Sequence, residues 1–180
     1  MSKSVVSKRY AKALFDLAKE NNKIDAYQQE LEVIGQVVLE NKGLYMIMNH
    51  PKFSDTEKKQ LLQNTFGNHV SKDVLNLLKL LVDKKRINEL NNVVDCYVEL
   101  ANEERDIAVA NVSTVKPLTK EQVTNLKAML TERLAKKDVK IHNQIDQKII
   151  GGVKIQVGNR ILDGTVQTKL ARMKRQLSSN

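Results

Sequence analysis

A chain of 180 residues, 41% apolar and 28% charged, has the composition of a folded protein and the length of one medium domain or two small ones. Aromatics are 4%, tryptophan is missing, and Gly (7) and Pro (2) are scarce, which disfavours a many-stranded sandwich and points to helices. The net charge of +9 lies entirely in one part: residues 1–106 carry 16 Lys/Arg and 16 Asp/Glu, whereas residues 107–180 carry 14 and 5.

In chain order, the first helix runs from about Ser4 to Glu20. The second carries Ile24, Tyr27, Leu31, Ile34 and Val38, a single apolar stripe at spacings of three and four, with Gly43 as its stop. A short apolar segment, Leu44 to Met48, leads into Asn49-His50-Pro51. Ser54 and Glu57 have capping-box spacing for a helix that runs through Leu61, Leu62 and Phe66 to Gly67. A fifth helix spans Lys72 to Asp83. A sixth carries Ile87, Leu90, Val94, Tyr97 and Ala101.

The period changes after Arg105-Asp106. Ile107 to Val115 reads as a strand, and Thr119 with Gln122 caps a helix carrying Val123, Leu126, Leu130 and Leu134. Val139, Ile141 and Ile145 alternate as a strand does. So do Val153, Ile155 and Val157, before a Gly158-Asn159 hairpin turn that returns through Ile161-Leu162. The chain ends in a basic amphipathic helix with Val166, Leu170, Met173 and Leu177 on one side. The fold class is therefore mostly α: a helical bundle over 1–106, then a small basic α/β domain over 107–180.

Several functions find no support. The longest uninterrupted apolar run, Leu44 to Met48, is far short of the roughly 20 residues of a spanning helix. Charged Lys8, Arg9, Lys12 and Asp16 interrupt any signal-peptide core. The single Cys96 forms no internal disulfide and suits a reducing compartment. A GxxxxGK[ST] loop is missing, and Gly151-Gly152 is not part of a GxGxxG, so no nucleotide cofactor is expected. His50, His69 and His142 lack ligand spacing, so no metal is expected either. Asp146 and Asp163 are candidates to pair in space, although Asp163 before Gly164-Thr165 has the form of a cap. No catalytic residue emerges. A basic part is the usual footprint of nucleic-acid binding, but residues 98–180 hold no aromatic on which a base could stack.

Two helices carry more apolar surface than a bundle core needs. In the first, Ala13, Val6, Leu17, Tyr10, Leu14, Ala18, Ala11 and Phe15 fill an arc of about 200°, against roughly 100° for a one-sided helix. Either this helix is sandwiched between neighbours, or the part around Tyr10 and Ala13 receives a partner's helix. In the fifth, Leu80 projects about 40° from Asn76, inside the polar arc. It is either a lone exposed leucine or one edge of a groove for an amphipathic helix.

Arg9-Tyr10-Ala11-Lys12-Ala13-Leu14-Phe15-Asp16-Leu17-Ala18 resembles the opening helix of the delta subunit of F-type ATP synthases, the bacterial relatives of the mitochondrial oligomycin-sensitivity-conferring protein. Asp146, Ile149-Ile150-Gly151-Gly152-Val153, Ile155 and Val157-Gly158, followed by Ile161-Leu162-Asp163-Gly164-Thr165-Val166 and Lys169-Leu170, look like that family's C-terminal signature. Thr165 stands where serine is more usual. Asn76-Leu77-Leu78-Lys79-Leu80-Leu81 and Arg86-Ile87 fit its fifth helix and the turn after it.

The resemblance implies a six-helix bundle and a smaller α/β domain, without catalysis or cofactor. It implies a peripheral subunit at the cytoplasmic face of the cell membrane, and the lack of a transit segment points to a bacterial source. The bundle would receive the N-terminal helix of an alpha subunit in a groove lined by Tyr10, Ala13, Leu14, Asn76 and Leu80. The C-terminal domain would meet the ends of the stalk's b subunits, with Lys136, Lys137, Lys140, Arg172, Lys174 and Arg175 as its stalk-facing charges. The alternative is a basic nucleic-acid-binding adaptor.

Overall fold

Ser4 opens the first helix by accepting the Ser7 amide on its hydroxyl at 3.1 Å, satisfying one donor that a helix start leaves over. Helix α1 (Val5–Glu20) is followed by α2 (Ile24–Glu40), α3 (Lys42–Asn49), α4 (Asp55–Phe66), α5 (Lys72–Asp83) and α6 (Leu90–Glu104). The computed structural model describes residues 4–178, excepting the side chains of Leu39, Lys42, Leu177 and Ser178. Two units divide between Ala101 and Asn102, late in α6.

The expected stop at Gly43 is incorrect. Helix α2 ends at Glu40, and the next residue, Asn41, accepts the Leu44 amide on its side chain at 3.0 Å and so caps α3, with Gly43 inside it. An asparagine side chain can bond the backbone locally, and here it both ends one helix and starts the next. The segment Leu44 to Met48 is thus helical. Ile87 lies in a 3-10 turn (Ile87–Glu89), and α6 begins only at Leu90. Ser54 and Glu57 do form a reciprocal capping box.

The bundle core gathers the stripes of α2, α5 and α6. Tyr27, Leu31, Ile34, Leu78, Leu81, Leu90 and Tyr97 are each at most 2% exposed. Phe15 meets Tyr97 edge to face at 5.9 Å between centroids, a favoured aromatic arrangement. The Tyr97 hydroxyl finds the Ile24 carbonyl at 3.2 Å, and Cys96 is buried.

One polar clamp ties the two ends of the bundle sequence together. Glu89 Oε2 accepts from Ser7 Oγ at 2.7 Å, Ser4 Oγ at 2.9 Å and Asn92 Nδ2 at 3.0 Å. These bonds, Ser7's first, hold the Glu89 carboxyl below the usual carboxylate range. Such a group contributes stability above its unfolded value near 4.5 and loses that contribution as pH falls through the lower folded value. Glu89→Gln is expected to cost about 1 kcal/mol at neutral pH. Urea titrations from pH 7 downwards should show the difference shrinking below about pH 4.5; a constant difference would refute the clamp.

The second unit holds β1 (Ile107–Thr114), α7 (Lys120–Leu134), β2 (Asp138–Ile145), β3 (Val153–Val157), β4 (Arg160–Asp163) and α8 (Val166–Ser178). Val115 falls outside the strand expected to contain it. The sheet order is β2-β1-β3-β4. Strands β1 and β2 are parallel, which requires the crossover that α7 supplies, and the other pairs are antiparallel. Ala108, Ala110 and Val112 of β1, Val139 of β2 and Ile155 of β3 form the core with Leu130 of α7. The Thr119–Gln122 capping box starts α7. The chain is thus a six-helix N-terminal part followed by a mixed four-stranded sheet with helices.

Candidate functional site

Helices α1 and α5 run antiparallel, since Asn21 at the end of α1 donates to Asp73 in the first turn of α5 (3.4 Å). Helix α1 buries Ala11, Leu14, Phe15 and Ala18 but leaves Ala13 exposed and Leu17 44% exposed. Helix α5 buries Val74, Leu75, Leu77, Leu78, Leu81 and Val82 but leaves Asn76 exposed and Leu80 41% exposed. Between them is an open cleft of about 220 Å³, lined by Tyr10, Ala13, Leu14 and Leu17 from α1 and by Asp73, Asn76, Leu77 and Leu80 from α5.

All five residues expected from the sequence to line a groove, Tyr10, Ala13, Leu14, Asn76 and Leu80, therefore line one cleft. Leu17, Asp73 and Leu77 complete the lining and were not foreseen. Spacing was the available signal, because 10, 13, 14, 17 and 73, 76, 77, 80 repeat one three-four-seven pattern. Leu14 and Leu77 form a nearly buried floor, 3% and 7% exposed. An apolar floor two turns long suits the apolar face of a helix.

Polar contacts from α2 set the start of α5. Ser71 gives its amide and its hydroxyl to the Glu30 carboxylate, at 2.8 Å and 2.6 Å. The Tyr27 hydroxyl donates to Asp73 Oδ2 at 2.5 Å, and burial, then this bond, pushes the Tyr27 phenol up.

The glycine-rich signature forms a tight junction between β3 and the start of α8. Gly152 takes φ +85, and a Cβ there would collide with the Gly164 carbonyl oxygen and stand 3.0 Å from Thr165 Cα. Backbone bonds seal the junction: Gly164 N to Val153 O and Val166 N to Gly151 O, both 2.9 Å. Asp163 Oδ1 accepts from the Thr165 amide and Oδ2 from Thr168 Oγ1, both at 2.9 Å. The Thr165 amide and hydroxyl, then Thr168, hold the Asp163 carboxyl below the usual range. Thr165 Oγ1 accepts the Thr168 amide at 3.3 Å, so the threonine caps α8 as a serine would. Gly158 takes φ +55 at the first turn position between β3 and β4.

Asp146 and Asp163 do not form the pair considered above. Asp146 Oδ1 instead accepts the Lys148 amide at 3.0 Å and turns the chain ahead of Ile149.

The basic residues are not equivalent. Lys136 is bound to Asp106 at 2.6 Å, so its charge is partly answered within its own unit. Lys137, Lys140, Arg172, Lys174 and Arg175 are exposed. On α8, Val166, Leu170 and Met173 are 40%, 57% and 61% exposed, an apolar stripe left uncovered; the Leu177 side chain lies outside the described residues. Among the described residues no His, Cys, Asp or Glu cluster could hold a metal, and no helix is long and apolar enough to cross a membrane.

Comparisons with known proteins agree along the whole chain. The family profile "ATP synthase delta (OSCP) subunit" matches residues 6–177. ATP synthase subunit delta of Anoxybacillus flavithermus is 43% identical over 178 residues, 99% of each chain. Its counterpart in Bacillus cereus is 41% identical over 180 residues, 100% of this chain and 99% of that one. A chain in the cryo-EM structure of the Toxoplasma gondii mitochondrial ATP synthase hexamer superposes with a TM-score of 0.77 at 26% identity, covering 97% of this chain and 98% of that one.

Proposed function

Since the chain belongs to the ATP synthase delta (OSCP) subunit family, non-catalytic stator components of the peripheral stalk of F-type ATP synthase, we propose a division of that task between its two parts. Residues 1–106 hold the N-terminal helix of an alpha subunit of the catalytic head in the α1/α5 cleft. Residues 107–180 hold the C-terminal ends of the b subunits. The protein thereby ties the head to the stalk at the cytoplasmic face of the membrane, and the head resists the torque of the rotor.

The cleft is the observation that carries the first half of this reading. Apolar surface left open at two turns of two adjacent helices is costly unless a partner covers it. The second half rests on the uncovered stripe of α8 and on the positive excess of residues 107–180. The test is reconstitution: stripped membranes with the head but without this chain should hydrolyse ATP without pumping. Adding the chain in one copy per head should restore pumping. Restored pumping with a chain truncated after residue 106 would refute the division of roles.

Attraction through the basic part sets an expected salt dependence. Exposed charges are largely screened beyond about 8 Å at physiological ionic strength. Affinity for a fragment comprising the C-terminal ends of the b subunits should therefore fall steadily as salt rises. Arg172→Ala should weaken it more than Lys136→Ala, because Lys136 is already occupied by Asp106. Calorimetry across a salt series checks both. Constant affinity would assign the contact to the apolar stripe of α8 alone, and tight binding to mixed-sequence DNA would favour a nucleic-acid role instead.

A further inference from the structure

Among the described residues, α8 is held to its own unit at its first turn. Thr165 is buried and caps the helix, Thr168 is half-buried, and the Val166 amide bonds the Gly151 carbonyl. From Lys169 to Gln176 every side chain is exposed. The helix carries Lys169, Arg172, Lys174 and Arg175 and no acidic residue. At about 100° per residue, Val166, Leu170 and Met173 fall within an arc of about 60°. Lys169 and Lys174 lie about 40° outside its two edges, with Arg172 and Arg175 farther round.

An apolar stripe bordered on both sides by long cationic side chains is the pattern of a helix that lies in a membrane interface. The apolar residues enter the boundary between headgroups and acyl chains, while the lysine stems run alongside and place their ammonium groups among the phosphates. The cytoplasmic leaflet carries anionic lipid, and each Lys or Arg near such a surface strengthens attachment about five-fold. Nucleic acid would engage the charges but leave the stripe in water; a bilayer takes both. Since the side chains past Thr168 are exposed, the helix can lie on a surface without opening the core of its unit.

We propose that, before assembly, this chain docks on the anionic lipid of the membrane through α8, and that the same face passes to the b subunits when the chain joins the stalk. The first half needs only α8 and lipid. The second rests on the reading above that this helix meets the b-subunit ends. Docking confines the search for those ends to the plane of the membrane.

The test mixes the full chain with vesicles of phosphatidylcholine, with or without phosphatidylglycerol, and measures co-sedimentation. The chain should bind the anionic vesicles alone, and less as salt rises; equal binding to both, or to neither, would overturn the proposal. Leu170→Gln should weaken binding about tenfold, and Lys169→Gln with Arg172→Gln about 25-fold together. Lys140→Gln removes an exposed charge from β2 and should have a much smaller effect. Equal losses from Lys140→Gln and Arg172→Gln would mean diffuse attraction and overturn the role of α8. Because the sequence lacks tryptophan, Met173→Trp reports directly on the stripe. Its emission should shift to the blue on anionic vesicles, and that of Ala171→Trp, about 130° round the helix, should not. An unshifted Met173→Trp signal would overturn burial of the stripe in lipid. A fragment comprising the C-terminal ends of the b subunits should release the chain from the vesicles. Vesicle-bound chain that also takes up the fragment would overturn the exchange and the assignment of α8 to the stalk, leaving the lipid contact standing.

Discussion

Gly152→Val is expected to unfold the C-terminal unit and leave the helical bundle folded. Two independent penalties meet at this residue. Its φ of +85 is a conformation that a β-branched residue scarcely adopts. The added Cβ would also run into the Gly164 carbonyl and Thr165 Cα. Those are backbone atoms, and the bonds from Gly164 to Val153 and from Val166 to Gly151 keep them from moving aside. Together the penalties amount to about 3 kcal/mol or more, a large part of the stability of so small a unit. Gly158→Ala is the matched control. It shares the positive φ, at +55, but its Cβ would meet nothing within 4 Å, so it should cost only about 1 kcal/mol. Urea unfolding followed by methyl signals separates the units: Val112 and Leu130 report on one, Leu78 and Leu81 on the other. Equal midpoints for the Gly152→Val and Gly158→Ala variants would show that the close approach to Gly164 does not matter. In the assembled enzyme, Gly152→Val should leave ATP hydrolysis intact and abolish pumping.

This junction shows what a sequence makes legible and what it withholds. Two adjacent glycines ahead of a strand announce a bend, a positive φ or a close approach. Only the fold shows that Gly152 has both of the latter, and that the approaching segment is Gly164-Thr165. The cleft was legible for a related reason. An apolar arc wider than a core requires is visible on a helical wheel, as is a leucine beside Asn76 in a polar arc. The position of Asp73 could have been read from the 73, 76, 77, 80 spacing, but what holds its carboxylate there could not, because the Tyr27 hydroxyl that fixes it comes from another helix, 46 residues away. The pairing of Lys136 with Asp106 is of the same kind: composition counts charges, whereas their neutralisation depends on the path of the chain. The exposure of α8 was equally hidden, since a stripe at 166, 170 and 173 reads alike whether its own domain or a partner covers it. Local chemistry misled at Gly43, where α2 had already ended before Asn41.

Leu80→Asp should nearly abolish binding of the N-terminal helix of the alpha subunit without disturbing the fold. Leu80 is 41% exposed and lies at the edge of the cleft, so the free protein loses little core on substitution. Binding changes that balance. A helix seated over Leu14 and Leu77 would strip water from residue 80, and a carboxylate there would be desolvated against an apolar surface. Lys84, four residues on, would partly pair with the new aspartate in the free protein, and a docking helix would have to disrupt that pair as well. The expected loss is about 2 to 4 kcal/mol, or roughly thirty- to a thousand-fold in affinity. Leu80→Ala removes contact without adding charge and should cost about 1 kcal/mol. Val33→Asp places the same charge on α2 at a residue that is 57% exposed and outside the cleft, and should change nothing. Calorimetry with a synthetic peptide matching the N-terminal helix of the alpha subunit, alongside a thermal melt of each variant, gives the ranking. If Leu80→Asp melts like the parent and binds like Val33→Asp, the α1/α5 cleft is not where the head is held.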